Sequence, residues 1–372
     1  MLGELEIFRQ KISEIDEELV RLFIERMAVV AKVGEYKADK NLIIYDPIRE
    51  RAEIERFTGE AKTEFDIKYV EQFLKNLMFL SRGLQEDISK LRVGKNVYGL
   101  IGEKLGHSFS PQIHGEIFKT LKIEGEYKLF ELEEEELKSA IYKYKEQGVK
   151  GLNVTIPYKV KIMDYLDVIS KEAEKIGAVN TISFANGILT GYNTDYNGFG
   201  MSLLRSQVEV RDKSAVILGT GGASKAVVQY LIDNGAKSIT YMSRNPGDGA
   251  DRSKHSIRTV GYDEISYLKG DIIINCTPCG MYPKVDVSPV PYYIFNRFGT
   301  AVDLIYNPEE TMFLKQAKES GLKTINGLYM LVSQAVAAEK IWNRIELSGS
   351  QVDNIYQYIK DLIYKVDAGK NI

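Results

Sequence analysis

The chain has 372 residues, 44% hydrophobic and 27% charged, the balance of a folded protein with two or three cores. Its 49 basic and 52 acidic residues leave a net charge of -3, which excludes the strong positive field expected of a nucleic-acid or anionic-membrane binder. No stretch approaches the roughly 20 apolar residues of a membrane span, and the start, MLGELEIFRQKISEID, is charged and periodic rather than basic and then apolar.

Only two cysteines occur, Cys276 and Cys279, so no disulfide framework supports a secreted fold. A lone CxxC has the spacing of a redox pair or of half a zinc site, a weak signal by itself. Zinc needs two more soft ligands nearby, whereas His107, His114 and His255 are scattered. No metal is expected, and the cytoplasm is the expected setting.

Residues 1–90 read as all helix. From Leu5 to Lys37 there is no proline, and Ile12, Ile15, Leu19, Leu22, Phe23, Val29, Val30 and Val33 mark a helical stripe. A rod of some 30 residues is about 45 Å long, too long for so short a domain to cover, so pairing with a second copy is expected. Asp46-Pro47 reads as N-cap and first residue of a second helix, and Tyr69 to Leu84 as a third. Leu91 to Asn96 is the expected joint.

Beyond Val93 the strands VYGLI (97–101), LNVTI (152–156), AVILG (215–219), SITYM (238–242), DIIIN (271–275) and AVDLI (301–305) alternate with helical segments. Such alternation predicts a parallel α/β architecture. The glycine-rich turn in its middle divides it into a substrate lobe and a dinucleotide lobe. The final helical stretch, about 327–366, is expected to pack back on the first lobe.

In the helical part, charge sits where core is expected. Arg26 follows Leu22 by four residues and Lys37 follows Val33 by four; Ser81 and Gln85 repeat the spacing after Leu77. Buried cations require anions or other acceptors, supplied by internal carboxylates or by an anionic ligand. The set Arg9, Arg26, Lys37, Asp46, Arg49, Glu50, Ser81 and Gln85 resembles, in order and nearly in spacing, the active site of the all-helical chorismate mutases. That resemblance implies an intertwined homodimer in which Arg26 and a partner's Arg9 grip the substrate carboxylates. It also implies that Lys37 and Gln85 donate to the ether oxygen and that Glu50 accepts from the ring hydroxyl. Ser81 bonds a carboxylate, and Asp46 and Arg49 line the pocket.

The run SAVILGTGGASKAVVQ reads as strand, glycine turn and helix. There Gly219, Gly221 and Gly222 let the backbone approach a pyrophosphate, although Ser224 takes the usual third small position. At the end of the next strand stands Ser243-Arg244-Asn245 rather than an acid, which favours the 2′-phosphate of NADP. Asp248 follows four residues after Arg244.

HSFSP (107–111), NVTIPYK (153–159), GAVNT (177–181), GYNTDYNG (191–198), NCTPCGM (275–281), DLIYNP (303–308) and NGLYMLVSQA (326–335) together resemble the shikimate dehydrogenases across 94–370. The resemblance implies a catalytic pair, Lys159 and Asp195, and a carboxylate site of Ser108, Ser110 and Tyr306. Thr155, Asn180 and Gln334 then read the ring hydroxyls. NADP is implied to lie on Gly219, Gly221, Gly222, Ala223, Ser243, Arg244, Asn245, Thr277, Gly327 and Met330. The expected fold is thus an all-α mutase domain, 1–90, followed by an α/β dehydrogenase. Its substrate lobe is 94–197 plus 327–372, and its Rossmann-type NADP lobe is 198–326.

Two other readings stay open. The helical domain is a non-catalytic sensor of chorismate or prephenate that holds a dimer together, or the dehydrogenase acts on quinate, with NAD as an alternative cofactor. Because the two reactions are not consecutive, co-regulation is expected rather than channelling.

Overall fold

A computed structural model describes residues 2–39, 42, 44–59, 63–92, 96–185, 187–245 and 257–367, in two compact units divided after Lys95. His255, Asp248 and residues 93–95 of the expected joint lie outside the described residues.

The first unit is three helices: α1 (Leu2–Asp39), α2 (Pro47–Thr58) and α3 (Glu64–Arg92). Asp46 caps α2 as its sequence suggests, its side chain accepting from the Arg49 amide at 3.0 Å with proline next in line. Helices α1 and α3 approach closely at Gly34, where a Cβ would meet Gln85 Cα at 3.2 Å. The predicted stripe of α1 finds only partial cover within this unit, Phe23 and Val30 being half-buried. Ile12, Ile15, Leu19, Leu22 and Val29 stand 46–60% exposed, and Leu74 is the sole buried hydrophobic side chain among the unit's described residues.

The second unit holds two six-stranded sheets. The first comprises β1 (Asn96–Gly102), β2 (Gly125–Glu131), β3 (Gly151–Val154), β4 (Val168–Ile169), β5 (Thr181–Ala185) and β6 (Ile188–Tyr192), in the order β2-β1-β3-β5-β6-β4. It is mixed. β5 runs antiparallel to both β3 and β6, which corrects the expectation of a wholly parallel architecture. The hairpin turn at Gly187, with φ of +75°, joins β5 to β6 without a crossover helix.

The second sheet comprises β7 (Ser214–Leu218), β8 (Ser238–Met242), β9 (Ile257–Val260), β10 (Ile272–Asn275), β11 (Thr300–Asp303) and β12 (Lys323–Ile325). Its order, β12-β11-β10-β7-β8-β9, is wholly parallel. The order reverses between β7 and β10, and the loops leaving these two strands flank the crevice where open α/β sheets bind ligands. All six strands expected from sequence form. The short or alternating β2, β4, β5, β6, β9 and β12 carry weaker apolar runs and were not anticipated.

The second unit's helices are α4 (Ser110–Leu121), α5 (Leu137–Glu146), α6 (Lys171–Ile176), α7 (Asp195–Arg205), α8 (Gly222–Asp233), α9 (Met312–Glu319), α10 (Leu328–Asn343) and α11 (Gly349–Asp367). Of these, α4, α10 and α11 share one core of Ile113, Ile117, Val332, Ile355 and Ile359. The C-terminal helices therefore pack on the first sheet's side, tied further by Trp342 donating to the Ile182 carbonyl at 2.9 Å.

Candidate active sites

In the helical unit Arg26 donates to Ser81 Oγ at 2.6 Å, and Ser81 Oγ donates to the Leu77 carbonyl at 2.6 Å. Gln85 Nε2 reaches the Ser81 carbonyl at 3.3 Å, while its buried Oε1 has no partner. Arg26 is part-buried and no carboxylate among the described residues pairs with it; burial lowers its pKa. A cation and an amide held in place with only a hydroxyl between them form a site short of one anion.

Lys37 donates to the Ile44 carbonyl at 2.8 Å, and Glu50 is ion-paired with Arg82. Arg82 was not singled out in the sequence, where nothing marks it beyond adjacency to Ser81. Asp46 serves as the cap described above and Arg49 is exposed beside it. Arg9 is not brought to this cluster. It lies on exposed α1, 66% exposed and 3.6 Å from Glu6.

In the second unit Lys159, just past β3, donates to Asp195 Oδ2 at 2.5 Å, both side chains being about nine-tenths buried (12% and 8% exposed). Asp195 opens α7 (Asp195–Arg205), and its other oxygen accepts from Asn180 Nδ2 at 2.8 Å. Asn180 gives its second amide hydrogen to Thr194 Oγ1 at 3.0 Å and accepts from the Thr194 amide at 2.7 Å. Its capacity is committed to fixing the carboxylate, so a direct bond to a ring hydroxyl requires one of these to open.

The other predicted residues have their own local partners. Ser108 Oγ bonds Ser110 Oγ at 3.1 Å, and Tyr306 packs edge-on against Phe109 between them. Gln334 Oε1 accepts from Thr194 Oγ1 at 3.4 Å. Thr155 sits at the end of β3, its amide bonded to the Ile101 carbonyl at 2.9 Å. Asn153 was quoted within NVTIPYK but given no role. It links Tyr127 Oη (2.7 Å) to Thr181 Oγ1 (3.1 Å) and so ties β2 to the catalytic network.

The glycine turn follows β7 and opens α8 (Gly222–Asp233). Gly219 has φ of +96°, and a Cβ there would lie 2.8 Å from Thr277 Cγ2; a Cβ on Gly222 would lie 3.3 Å from Lys159 Cβ. The turn thus sits against the catalytic lysine. Gly221 faces open space and α8 has no side-chain cap, so its first amides are left for an anion. Ala223 is in the first turn, and Ser224 fits the crowded third position by burying its hydroxyl onto the Gly221 carbonyl at 2.6 Å.

Thr277 is held by Asn275 Oδ1 through both its amide (3.0 Å) and its hydroxyl (2.6 Å). Asn275 is gripped in turn by Asp303 at 3.0 Å, a buried carboxyl whose pKa desolvation pushes up to about 7. Neither residue was singled out, although both stand in quoted motifs, NCTPCGM and DLIYNP. Ser243 is buried and closes a turn onto Asn245, while Arg244 is exposed at the strand end. Gly327 must be glycine, since a Cβ would lie 2.0 Å from the Leu304 carbonyl oxygen. Met330, expected at the cofactor, is 7% exposed and packs into the core with Phe199. The loop glycines, an uncapped helix N-terminus at the topological reversal and an exposed arginine after β8 fit a phosphorylated dinucleotide.

Cys276 and Cys279 are free thiols, and burial raises both pKa values. Both stay largely as unreactive thiols. No group of three His, Cys, Asp or Glu side chains placed to hold a metal occurs among the described residues, nor does a helix long and apolar enough to cross a membrane.

Fold and site together define a two-lobed, dinucleotide-dependent dehydrogenase joined to an all-helical unit. Residues 100–182 match the shikimate dehydrogenase substrate-binding domain, and residues 8–86 match chorismate mutase type II. The NADP(+) shikimate dehydrogenase of Clostridium beijerinckii is 52% identical over 265 residues, 71% of this chain and 98% of that protein. The chain belongs to the shikimate dehydrogenase family. Among solved structures, a chorismate mutase/shikimate 5-dehydrogenase fusion protein from Clostridium acetobutylicum is 52% identical with a TM-score of 0.68. The match covers 73% of this chain and 99% of that one. Shikimate 5-dehydrogenase from Thermus thermophilus, solved with NADP(H) and shikimate, is 31% identical with a TM-score of 0.64, covering 70% and 98%.

Proposed function

We propose that this chain is a bifunctional enzyme of aromatic biosynthesis, reducing 3-dehydroshikimate to shikimate with NADPH and rearranging chorismate to prephenate. The observation that carries the first activity is the Lys159–Asp195 pair, 2.5 Å apart and shielded from water, directly against the glycine turn. NADPH, when bound, supplies hydride to the substrate carbonyl carbon. Charge then grows on the carbonyl oxygen, where the Lys159 ammonium donates a hydrogen bond and a proton. Asp195 aims that ammonium, and Asn180 and Thr194 aim Asp195. Ser108 and Ser110, with Tyr306, hold the carboxylate; Thr155 and Gln334 read ring hydroxyls. Arg244 meets the 2′-phosphate, and Gly219, Gly221, Gly222 and Ala223 admit the pyrophosphate, with Thr277 and Gly327 shaping the crevice. The lobes are 94–197 plus 327–372 for substrate and 198–326 for cofactor. Initial rates with shikimate against quinate, and NADP against NAD, test this assignment; preference for quinate or NAD would overturn it.

For the second activity the supporting observation is Arg26, a part-buried cation whose partner is a hydroxyl rather than an acid. The rearrangement needs no nucleophile, only a held conformer and donors at the developing negative charge on the ether oxygen. Arg26 and Ser81 take one carboxylate, Lys37 and Gln85 the ether oxygen, and Glu50 the ring hydroxyl. Asp46 and Arg49 line the pocket. Arg9 enters from a second copy, with the exposed α1 stripe as the homodimer seam. Chorismate disappearance followed by absorbance should be rapid for the full chain and abolished by Arg26→Ala. Binding without turnover would make the helical unit a sensor.

A further inference from the structure

Two consecutive residues of α3 tie down its two neighbours. Ser81 holds Arg26 of α1 at 2.6 Å, and Arg82 holds Glu50 of α2 by one oxygen, Oε2. The Arg82 and Glu50 side chains are only 27% and 24% exposed, and the second oxygen of Glu50 has no partner among the described residues. The Arg82 guanidinium also lies 5.0 Å from the centre of the Tyr45 ring, in the segment that leads into α2. That segment is pinned at its preceding residue by Lys37 on the Ile44 carbonyl and at its following residue by the Asp46 cap. Arg82 therefore bonds to α2 and stacks on its approach while standing next to Ser81.

We infer that Arg82 is a positioning residue for the mutase reaction, fixing Glu50 so that its second oxygen accepts the ring hydroxyl of chorismate. The inference rests on the mutase reading above. An unrestrained glutamate on a surface helix samples many rotamers, and fixing it in advance removes that cost from substrate binding. Arginine suits the task because its rigid fork can hold a carboxylate while its face stacks on an aromatic ring. A purely architectural Arg82 would instead clamp α2 to α3 and serve every residue of the site alike.

A double-mutant cycle on the full chain separates these roles. Chorismate initial rates are measured for the unmodified chain, Arg82→Gln, Glu50→Gln and the double variant, with shikimate oxidation and far-UV circular dichroism on the same samples. Arg82→Gln should lower kcat/KM about tenfold when Glu50 is present and less than about twofold when it is glutamine. Arg82→Lys keeps the charge but loses the fork and should give an intermediate loss, again only with Glu50 intact. Equal losses in both backgrounds, or none in either, would overturn the positioning role while leaving the mutase standing. An unmodified chain that binds but does not convert chorismate would remove the mutase reading itself.

Discussion

In the helical unit Ile12, Ile15, Leu19, Leu22 and Val29 are 46–60% exposed, whereas Ile101, Ile217 and Ile274 on the dehydrogenase strands are completely buried. Both regions carry strongly apolar periodic sequence. The sheets cover their strands with helices of the same chain, but a 38-residue helix outruns what two shorter helices can shield. The polar sites follow the same division. Lys159, Asp195, Asn180 and Thr194 satisfy one another within one chain, while Arg26 and Gln85 keep unmet capacity and Arg9 stands apart in solvent. The dehydrogenase network closes on itself. The helical unit leaves the Gln85 oxygen unpartnered and much apolar surface exposed among its described residues.

The largest test of that contrast is Lys159→Ala. It should cut the dehydrogenase kcat by about a thousandfold and leave chorismate turnover unchanged, as initial rates on one preparation will reveal. A matching loss in both activities would mean that the units do not work separately. Next, Leu19→Glu places a charge in the exposed α1 stripe. Chorismate turnover should fall about a hundredfold at equal chain concentration, with the particle halving in mass by light scattering, while shikimate oxidation persists. Retention of both mass and turnover would show that the stripe is not the seam.

The smallest effect concerns Asp303, whose carboxyl is raised from an ordinary value of 3.8 to about 7 by burial in the dehydrogenase unit. The folded state then holds a proton that the unfolded chain releases. Stability should fall as pH rises from about 4 to about 7 and level off above. Asp303→Asn should flatten this slope in melting temperatures recorded across that range. An unchanged slope would assign it to other groups.

Much of this was legible beforehand because local chemistry is written locally. The Asp46-Pro47 cap, the six apolar strands, the glycine turn and the Lys159 and Asp195 motifs each need only a few neighbours in sequence. What escaped the sequence lay in longer reach: Arg82 meeting Glu50 over 32 residues, Asn153 bridging Tyr127 to Thr181, and Asp303 holding Asn275 over 28. The packing of Met330 with Phe199 is likewise a contact between distant segments. The reversal of β5 was hidden for the same reason, since periodicity reveals that a strand exists but not its direction.

By itself the sequence determined the three N-terminal helices and six of the twelve described strands, that the chain has a helical part and an α/β part, and which residue types serve each chemistry. These follow from spacing, caps and turns, whose energetics act over a few residues. Only the tertiary structure decided that the first sheet is mixed, that Asn180 is committed to Asp195 and that the glycine turn lies against Lys159. It also decided that most of the α1 stripe stays exposed within its unit. Each of those is a question of which distant segments compete for the same partner, and that competition is resolved only when the chain has packed.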